Sequence, residues 1–326
     1  MASNNMINFS KETLRLDAEQ EIARIVAMIR EVVQHDMHRR GAVVGISGGI
    51  DSSVVLALCV EALGPQRVVG LILPEKESSP ASAALAEELA NHFGIQTVTE
   101  DITPALAGFG CYERRNEAIR RIFPQFEQGW GVKIVLPNDL LTQGTLNIFH
   151  LVVTTPQGEE LRQRLTPVEY LQIVASSNFK QRVRTTYLYF HAELHNYAVL
   201  GTPNKNEHAL GFFVKGGDGL YDFAPIRHLF KTQVFQLAES LGVPKNIRSR
   251  PPITDTYPGG GTQEEFFFRL PFEILDTIWL GHEQQVPVEM IASAVDLSTE
   301  QVLRVIKDIS TKQMTTNILR EPPKGL

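Results

Sequence analysis

The sequence predicts an α/β fold, a doubly wound parallel sheet with flanking helices, from the order of its apolar segments. Two short apolar runs typical of buried strands lie at 42–46 and 68–73, and a third predicted strand lies at 95–98. Two segments typical of helices, 54–61 and 78–93, separate these runs. Strand, helix, strand, helix, strand at this spacing needs crossover connections, so the strands are parallel and ligands are expected at their carboxyl ends.

Composition limits the classes of protein to which the chain can belong. Its 326 residues, 43% of them hydrophobic, suffice for one large domain or two small ones. A net charge of -6 argues against sequence-independent binding of nucleic acid. Cys59 and Cys111 are the only cysteines, too few for a zinc cluster or a disulfide framework. No apolar run approaches the roughly 18 residues that span a bilayer, and the start lacks a signal pattern. We therefore expect a cytoplasmic protein that binds no membrane.

The remaining elements follow from periodicity and turn signals. Residues 1–15 are polar and predict a loose arm. The later patterns predict an amphipathic helix at 16–33, a charged helix at 113–126 and a hairpin at 146–165 that turns at 156–158. They then predict a helix at 178–196, a strand at 197–200 and a helix at 231–241. Two short helices are predicted within 286–312, and a capping box at Ser298 opens the second. We predict a main domain over 1–285, with an insertion at about 108–176, and a helical tail over 286–326 packed on it.

The segment between the first strand and its helix is a turn with two glycines and three hydroxyls, Ser47-Gly48-Gly49-Ile50-Asp51-Ser52-Ser53. Adjacent glycines allow positive φ and let backbone N–H groups converge at the positive end of the helix, so the turn is suited to phosphate. It lacks the Gly-Lys-Ser/Thr ending of a Walker loop. A carboxylate such as Asp51 would repel polyphosphate unless a cation lay between them, which predicts Mg²⁺.

A second block of polar residues, 201–233, directly follows the strand at 197–200. It contains Gly201-Thr202, Glu207, Lys215, a Gly-Gly-Asp-Gly turn, Asp222 and Lys231. The turn SGGIDSS resembles the pyrophosphate loop of the N-type ATP pyrophosphatases. The second block resembles the ammonia-using members of the NAD synthetase family within that superfamily, with no gap in the spacing.

The resemblance implies an adenine-nucleotide α-hydrolase-like fold and a role for each matching residue. Asp51 and Glu207 would hold Mg²⁺ against ATP, and with Lys231 they form the expected catalytic set. Expected ATP-binding residues are Gly45, Ile46, Ser47, Gly48, Gly49, Ile50, Asp51, Ser52, Ser53, Arg184, Thr202 and Lys231. Residues expected to bind the carboxylate substrate, deamido-NAD, are Asn178, Arg182, Lys215 and Asp222.

Two places depart from the family pattern. The stretch 250–256 resembles the family's Pro-Pro loop, but Ile253 stands where a hydroxyl residue contacts ATP. The basic pair near the family's C-terminus aligns with Asn317 and Ile318, so that substrate contact is expected to be lost, although Arg320 is near.

The resemblance implies ATP-dependent amidation of deamido-NAD to NAD through an acyl-adenylate, with release of AMP and pyrophosphate. Ammonia, free or from a separate glutaminase, would supply the nitrogen. Because the family is homodimeric, the resemblance also predicts a homodimer. Two alternatives stay open: an amide ligase of the same mechanism acting on another carboxylate, such as a sugar acid or a natural-product intermediate, and a non-catalytic ATP-binding regulatory module.

Two further features allow more than one interpretation. Lys180, Arg182 and Arg184 fall in the first turns of the helix predicted at 178–196, where cations oppose the helix dipole. This suggests an anionic partner, and a solvated basic face explains it equally well. Cys111 has no neighbouring histidine to activate it as a nucleophile, so the sequence favours a structural cysteine.

Overall fold

Four parallel strands form the central sheet, in the order β3-β2-β1-β7. The computed structural model describes residues 9–136, 140–141, 149–253 and 262–325. The strands are β1 (Ala42–Gly45), β2 (Val68–Ile72), β3 (Gln96–Thr99), β4 (Gly131–Val135), β5 (His150–Thr154), β6 (Glu160–Arg164) and β7 (Ala198–Leu200). In register, Ala42 pairs with Val68 on one side and with Ala198 on the other. The predicted parallel α/β architecture is confirmed.

The helices are α1 (Ala18–Arg30), α2 (Ile50–Leu63), α3 (Pro80–Phe93), α4 (Thr103–Gly108), α5 (Cys111–Ile122), α6 (Pro167–His195), α7 (Lys205–Leu210), α8 (Lys231–Ser240), α9 (Lys245–Arg248), α10 (Phe272–Glu283), α11 (Val288–Val295), α12 (Thr299–Thr315) and α13 (Asn317–Arg320). Short 3₁₀ turns lie at Lys11–Leu14 and Pro65–Arg67, and π-helical turns at Glu31–Asp36 and Glu264–Phe268. None of the described helices is both long enough and apolar enough to cross a membrane.

Helices cover both faces of the sheet, as successive residues of β1 illustrate. Ala42 and Val44 belong to a buried cluster with α1, α2, α3 and α8, whereas Val43 belongs to a cluster with α4, α5 and α6. This alternation follows from the period of two along a strand. Cys59 is fully buried in the first cluster. Burial on both faces explains why β1 reads as a continuous apolar run.

The insertion contains a second, antiparallel sheet in the order β4-β5-β6. The predicted hairpin is present as β5 and β6, with Gly158 at φ +87° in the turn, and positions 146–148 lie outside the described residues. Strand β4 was not predicted. Its alternate residues Val132 and Ile134 pack against α5 and α6 in one buried cluster. The insertion therefore has its own apolar core.

Helix α6 begins at Pro167, eleven residues before the predicted start, which corrects the interpretation of its basic residues. Proline at the first helical position is a common start signal. Lys180 therefore lies in the middle of the helix, where the argument from the dipole does not apply. It is also not part of a solvated face, because only 1% of its surface is exposed.

Lys180 belongs to a buried network of charges after β2. Its Nζ donates to Glu75 Oε1 at 2.7 Å and to Glu77 Oε2 at 2.8 Å. Arg115 donates two hydrogen bonds to Glu77, at 2.6 and 2.8 Å. Tyr112 donates to Glu75 at 2.8 Å. The network joins α5 and α6 to the segment that follows β2.

This network predicts a specific loss of stability in acid. Burial alone would raise the pKa of Glu77, but Arg115 and Lys180 lower it from 4.5 to about 2. Because the folded-state pKa is depressed, the stabilisation is present above pH about 4.5 and is lost as pH falls towards about 2. We expect Glu77→Gln to lower the unfolding free energy at pH 7 by about 3 kcal/mol.

Urea unfolding at pH 7 and pH 3 measures this effect. Glu160→Gln is the control, because Glu160 pairs with Lys133 at 3.0 Å on the surface, and such pairs contribute at most about 1 kcal/mol. Equal losses in the two variants at pH 7 would contradict the prediction.

The N-terminal residues are more ordered than expected. Within the predicted loose arm, Phe9 and Leu14 are buried in a cluster formed mainly by α10, α11 and α12. Residues 1–8 lie outside the described residues.

Ser298 caps α12, and its Oγ accepts a hydrogen bond from Gln301 N at 3.2 Å, as the predicted capping box requires.

Candidate active site

A cavity of about 690 Å³ lies at the carboxyl ends of β1, β2 and β7. Most residues predicted for the site line it. These are Gly45, Ile46, Ser47, Gly49, Ile50, Asp51, Ser52, Asn178, Arg182, Arg184, Thr202, Glu207, Lys215 and Lys231. Residues from elements distant in the chain meet here because the strand ends of a parallel sheet share one edge.

The turn after β1 is shorter than predicted, because α2 begins at Ile50 rather than at 54. Asp51 and Ser52 therefore lie in the first helical turn, where backbone N–H groups have no partner within the helix. Ser47 Oγ accepts from Gly49 N at 3.3 Å and lies 3.3 Å from Ser52 Oγ. This leaves hydroxyls and free N–H groups at the positive end of α2, an arrangement suited to phosphate.

Gly48 has a structural role in this turn. Its φ is +71°, and a Cβ there would lie 2.6 Å from the carbonyl oxygen of Ser82 in α3. Among the described residues, Gly48 and Ser53 do not line the cavity. Ser53 is buried, and its Oγ donates to Gly49 O at 2.8 Å. Both residues therefore support the conformation of the turn without lining the cavity.

Asp51 and Lys231 form an ion pair at the base of the cavity. Lys231 Nζ donates to Asp51 Oδ2, and Asn204 Nδ2 donates to Asp51 Oδ1 at 2.9 Å. Lys231 is fully buried, and Asp51 supplies the opposite charge beside it. The structure thus joins two predicted catalytic residues from α2 and α8.

Glu207 lies beside this pair on α7. Its Oε2 accepts from Asn204 N at 3.2 Å, and Asn204 Oδ1 accepts from Glu207 N at 3.0 Å, which is a capping box. Burial and, next, the charge of Asp51 raise the pKa of Glu207 to about 8, against the opposing effect of Lys231. The charge of Asp51 thus disfavours the ionisation of Glu207, and both carboxylates share one cavity.

The sequence analysis missed Asn204, although a signal for it existed. Asn followed three residues later by Glu is a capping pattern, and here it also brings an amide to Asp51. Gln263 was also missed as a contact: its Nε2 donates to Glu207 Oε1 at 3.2 Å.

The basic residues of α6 line a different wall of the cavity. Arg184 Nε donates to the carbonyl of Leu73 at 3.2 Å, at the end of β2. Arg182 donates to the carbonyl of Lys215 at 3.3 Å, and Lys215 Nζ donates to Ile318 O at 2.8 Å. These contacts use backbone carbonyls, so the positive charges are not neutralised by them.

Asp222 is the predicted substrate-binding residue that the structure places elsewhere. Its Oδ2 accepts from Val199 N at 2.8 Å, and its Oδ1 accepts from Tyr189 OH at 3.1 Å. It is not among the described residues that line the cavity. In this structure Asp222 anchors β7 to α6.

The departures from the family pattern have different surroundings. Ile253 lines the cavity, whereas residues 254–261 of the same loop lie outside the described residues.

Near the C-terminus, Thr316 and Leu319 line the cavity and Ile318 is 57% exposed. Arg320 Nη2 donates to Gln313 O at 2.6 Å. Asn317 begins α13, and its Nδ2 donates to Glu321 at 2.8 Å.

Cys111 is a structural residue. It is 1% exposed, its Sγ donates to Ser176 O at 3.2 Å, and burial raises the pKa of its thiol. A thiol in this environment is a poor nucleophile.

The described residues offer few side-chain ligands for a metal ion. No group of three or more His, Cys, Asp or Glu side chains placed to hold a metal occurs within the described ranges. Asp51 and Glu207 remain as a pair of carboxylates, which is the number that Mg²⁺ typically takes from a protein when phosphates supply the other oxygens.

Comparisons with known proteins show the family of the chain. The family model described as NAD synthase matches residues 21–122 and 147–317. The chain is 46% identical over 314 residues to the NH(3)-dependent NAD(+) synthetase of Rhizobium rhizogenes, covering 96% of this chain and 94% of that protein. It is 40% identical over 260 residues to the protein of the same name from Thermotoga neapolitana, covering 80% of this chain and 83% of that one.

Solved structures show the same fold. The chain is similar to the NH3-dependent NAD synthetase from Campylobacter jejuni with a TM-score of 0.61 and 22% identity, covering 95% of this chain and 100% of that one. It is also similar to an NMN synthetase from Francisella tularensis, with a TM-score of 0.60 and 23% identity, covering 96% and 99%. The family match and the sequence identity over nearly the whole length show that this chain belongs to the NAD synthase family.

Proposed function

We propose that the chain is an ammonia-dependent ligase that amidates deamido-NAD to NAD at the expense of ATP. The observation that carries the proposal is the meeting of the phosphate turn, the Asp51–Lys231 pair and Glu207 in one cavity. A complete set of charged groups beside a phosphate site serves a reaction on phosphate and exceeds what a regulatory ATP-binding module requires.

In the proposed reaction the nicotinate carboxylate of deamido-NAD attacks the α-phosphate of ATP, and pyrophosphate leaves. Ammonia then displaces AMP from the acyl-adenylate and leaves the amide. Lys231 is placed to neutralise negative charge that develops on the phosphates, because its Nζ reaches the cavity beside the turn at the start of α2. Ser47, Ser52 and the first N–H groups of α2 would hold the leaving pyrophosphate.

Asp51 and Glu207 would hold Mg²⁺. The fit rests on their shared cavity, in which the charge of Asp51 raises the cost of ionising Glu207, and a bound cation would relieve that cost. Bound there, Mg²⁺ supplies positive charge to the phosphate oxygens of ATP. Asn204 orients Asp51 and fixes the start of α7, which holds both carboxylates in place.

The predicted homodimer receives support from the surface of α6. Val168, Leu171, Phe190 and Leu194 are large apolar side chains of this helix that are more than half exposed. A second copy of the chain would bury them. We also propose that the reaction takes place in the cytoplasm and that the nitrogen comes from free ammonia or from a separate glutaminase.

The test is direct detection of products. With ATP, Mg²⁺, ammonium and deamido-NAD, we expect NAD and AMP in equal amounts by chromatography. Omission of ammonium should abolish NAD formation. If AMP and an amide form with another carboxylate and no NAD forms with deamido-NAD, the ligase chemistry stands and the proposed substrate is wrong.

The insertion contributes an aromatic wall to the cavity. Phe149 and Tyr170 line the cavity and stack at 4.5 Å between ring centroids. Both residues lie within the range 147–317 that the family model matches, and the unmatched residues 123–146 precede them. The wall is placed to affect the binding of the acid, and this makes the insertion a candidate determinant of specificity.

We expect Phe149→Ala to raise KM for deamido-NAD by roughly three- to tenfold, because one aromatic contact contributes about 0.5–1.5 kcal/mol. KM for ATP should change less. Phe109→Ala is the control, since Phe109 stacks on Phe179 at 5.4 Å and is not among the described residues lining the cavity. Steady-state kinetics in both substrates measure the change, and equal effects on the two KM values would contradict a role in binding the acid.

A further inference from the structure

Asp276 is a buried carboxylate that the proposed reaction does not use. It lies on α10, is fully buried, and accepts three hydrogen bonds from two other elements. Its Oδ1 accepts from Asn206 Nδ2 at 2.5 Å. Its Oδ2 accepts from Thr232 N at 3.0 Å and from Thr232 Oγ1 at 2.8 Å. An ionised group so deeply buried is costly unless its partners are well placed.

These hydrogen bonds converge on the start of α8. Thr232 is its second residue, and its backbone N–H has no partner within the helix. The N–H of Lys231, the first residue, donates to Asn206 Oδ1 at 2.9 Å. Asp276 thus accepts directly from the N–H of Thr232. It also orients the side chain of Asn206, which accepts from the N–H of Lys231. A carboxylate from α10 therefore acts as the cap that α8 lacks in its own sequence.

The same contacts set the distance between two functional helices. Asn206 precedes Glu207 on α7, and Lys231 opens α8 and reaches Asp51. A shift of α8 relative to α7 would move the ammonium group of Lys231 away from the carboxylates. Displacements of about 1 Å in a reacting group can cost on the order of 10²-fold in rate.

We propose that Asp276 is a positioning residue, which fixes Lys231 against α7 through Asn206 and Thr232. The inference rests on the proposed function of the cavity. Burial raises the pKa of Asp276 to about 6 against the pull of its donors, so near neutral pH it is present mainly as the ion that accepts all three bonds.

The test compares Asp276→Asn with Thr277→Val. Thr277 is the next residue of α10, equally buried, and its Oγ1 donates within the helix to Glu273 O at 2.7 Å. Asp276→Asn cannot accept from all three donors, and we expect kcat to fall by roughly ten- to a hundredfold, with KM for ATP changed by less than about threefold. Thr277→Val should leave kcat within about threefold of the wild type. Circular dichroism and thermal melting establish the folded fraction of each variant.

A double variant separates positioning from general damage to the fold. If Asp276 acts through Lys231, Asp276→Asn should cost little further in a Lys231→Met background, measured by single-turnover AMP release. Additive losses, or a folded Asp276→Asn variant with normal kcat, would overturn the inference. If Asp276→Asn does not fold, Thr232→Val is measured instead, because it removes one donor to Asp276 at constant volume. Additive losses with Lys231→Met, or a normal kcat in the folded Thr232→Val variant, would then overturn the inference. A wild type that forms no NAD would instead contradict the proposed function.

Discussion

Lys231→Met should lower kcat by roughly 10²- to 10³-fold, the cost of removing one preorganised charge from a developing transition state. Lys231 is buried and ion-paired with Asp51 beside the phosphate turn, so water cannot replace its ammonium group easily. The methionine side chain fills a similar volume without the charge. Rapid-quench measurement of AMP formation gives the rate of the adenylation step, and KM for ATP is measured alongside.

Lys180→Met is the matched control for that variant. Lys180 is as buried as Lys231 and is paired with Glu75 and Glu77. We expect it to lower stability by about 3 kcal/mol, because two carboxylates lose their cation, while kcat per folded molecule stays within about threefold. Equal kcat losses in the two variants would show that burial of a lysine, and not its place in the cavity, determines the rate.

Asp51→Asn should lose most turnover, again by roughly 10²- to 10³-fold, and excess Mg²⁺ should restore part of it. Asparagine keeps one acceptor oxygen but removes the charge that Lys231 and the proposed cation require. The protein should still fold, since Ser47 and Ser52 hold the turn independently. Turnover is measured over a titration of Mg²⁺, with ATP fixed.

Asp17→Asn provides a comparison at another helix start. Asp17 caps α1, where it accepts from Gln20 N at 3.0 Å, and it is not among the described residues lining the cavity. Because asparagine and aspartate cap helices about equally well, this change should cost little stability and leave the Mg²⁺ dependence unchanged. A near-normal rate for Asp51→Asn at limiting Mg²⁺ would contradict the assignment of Asp51 to the metal.

The main sheet was predictable because β1, β2 and β7 are short, largely buried apolar runs and because helices that end at glycine separate β1, β2 and β3. Glycines and hydroxyls between 47 and 53 indicated the phosphate turn for a local reason, since backbone conformation there depends on the residues of the turn itself. The placement of Glu207 and Lys231 came from a resemblance and not from periodicity.

Long-range contacts account for what the sequence did not reveal. Lys180 looks like a surface cation by residue type, and only the approach of Glu75 and Glu77 allows it to be buried. Asp276 sits in an apolar helix with no local sign of its donors, which come from α7 and α8. Asp222 lies within the expected substrate block, yet its carboxylate binds the backbone of β7. Side-chain direction of this kind depends on tertiary packing, which a linear pattern does not contain.

The position of β1 has a consequence for synthesis on the ribosome. Asp51 and its partners Asn204 and Lys231 are 153 and 180 residues apart in the chain. At the usual speed of translation, roughly 10–40 s separate the emergence of Asp51 from that of Lys231. Until β7 emerges, β1 is an unpaired apolar edge, although it ends in the middle of the finished sheet. The antiparallel sheet of the insertion pairs only segments that are neighbours in the chain, so we expect it to form on the nascent chain before Asp51 meets Asn204 and Lys231.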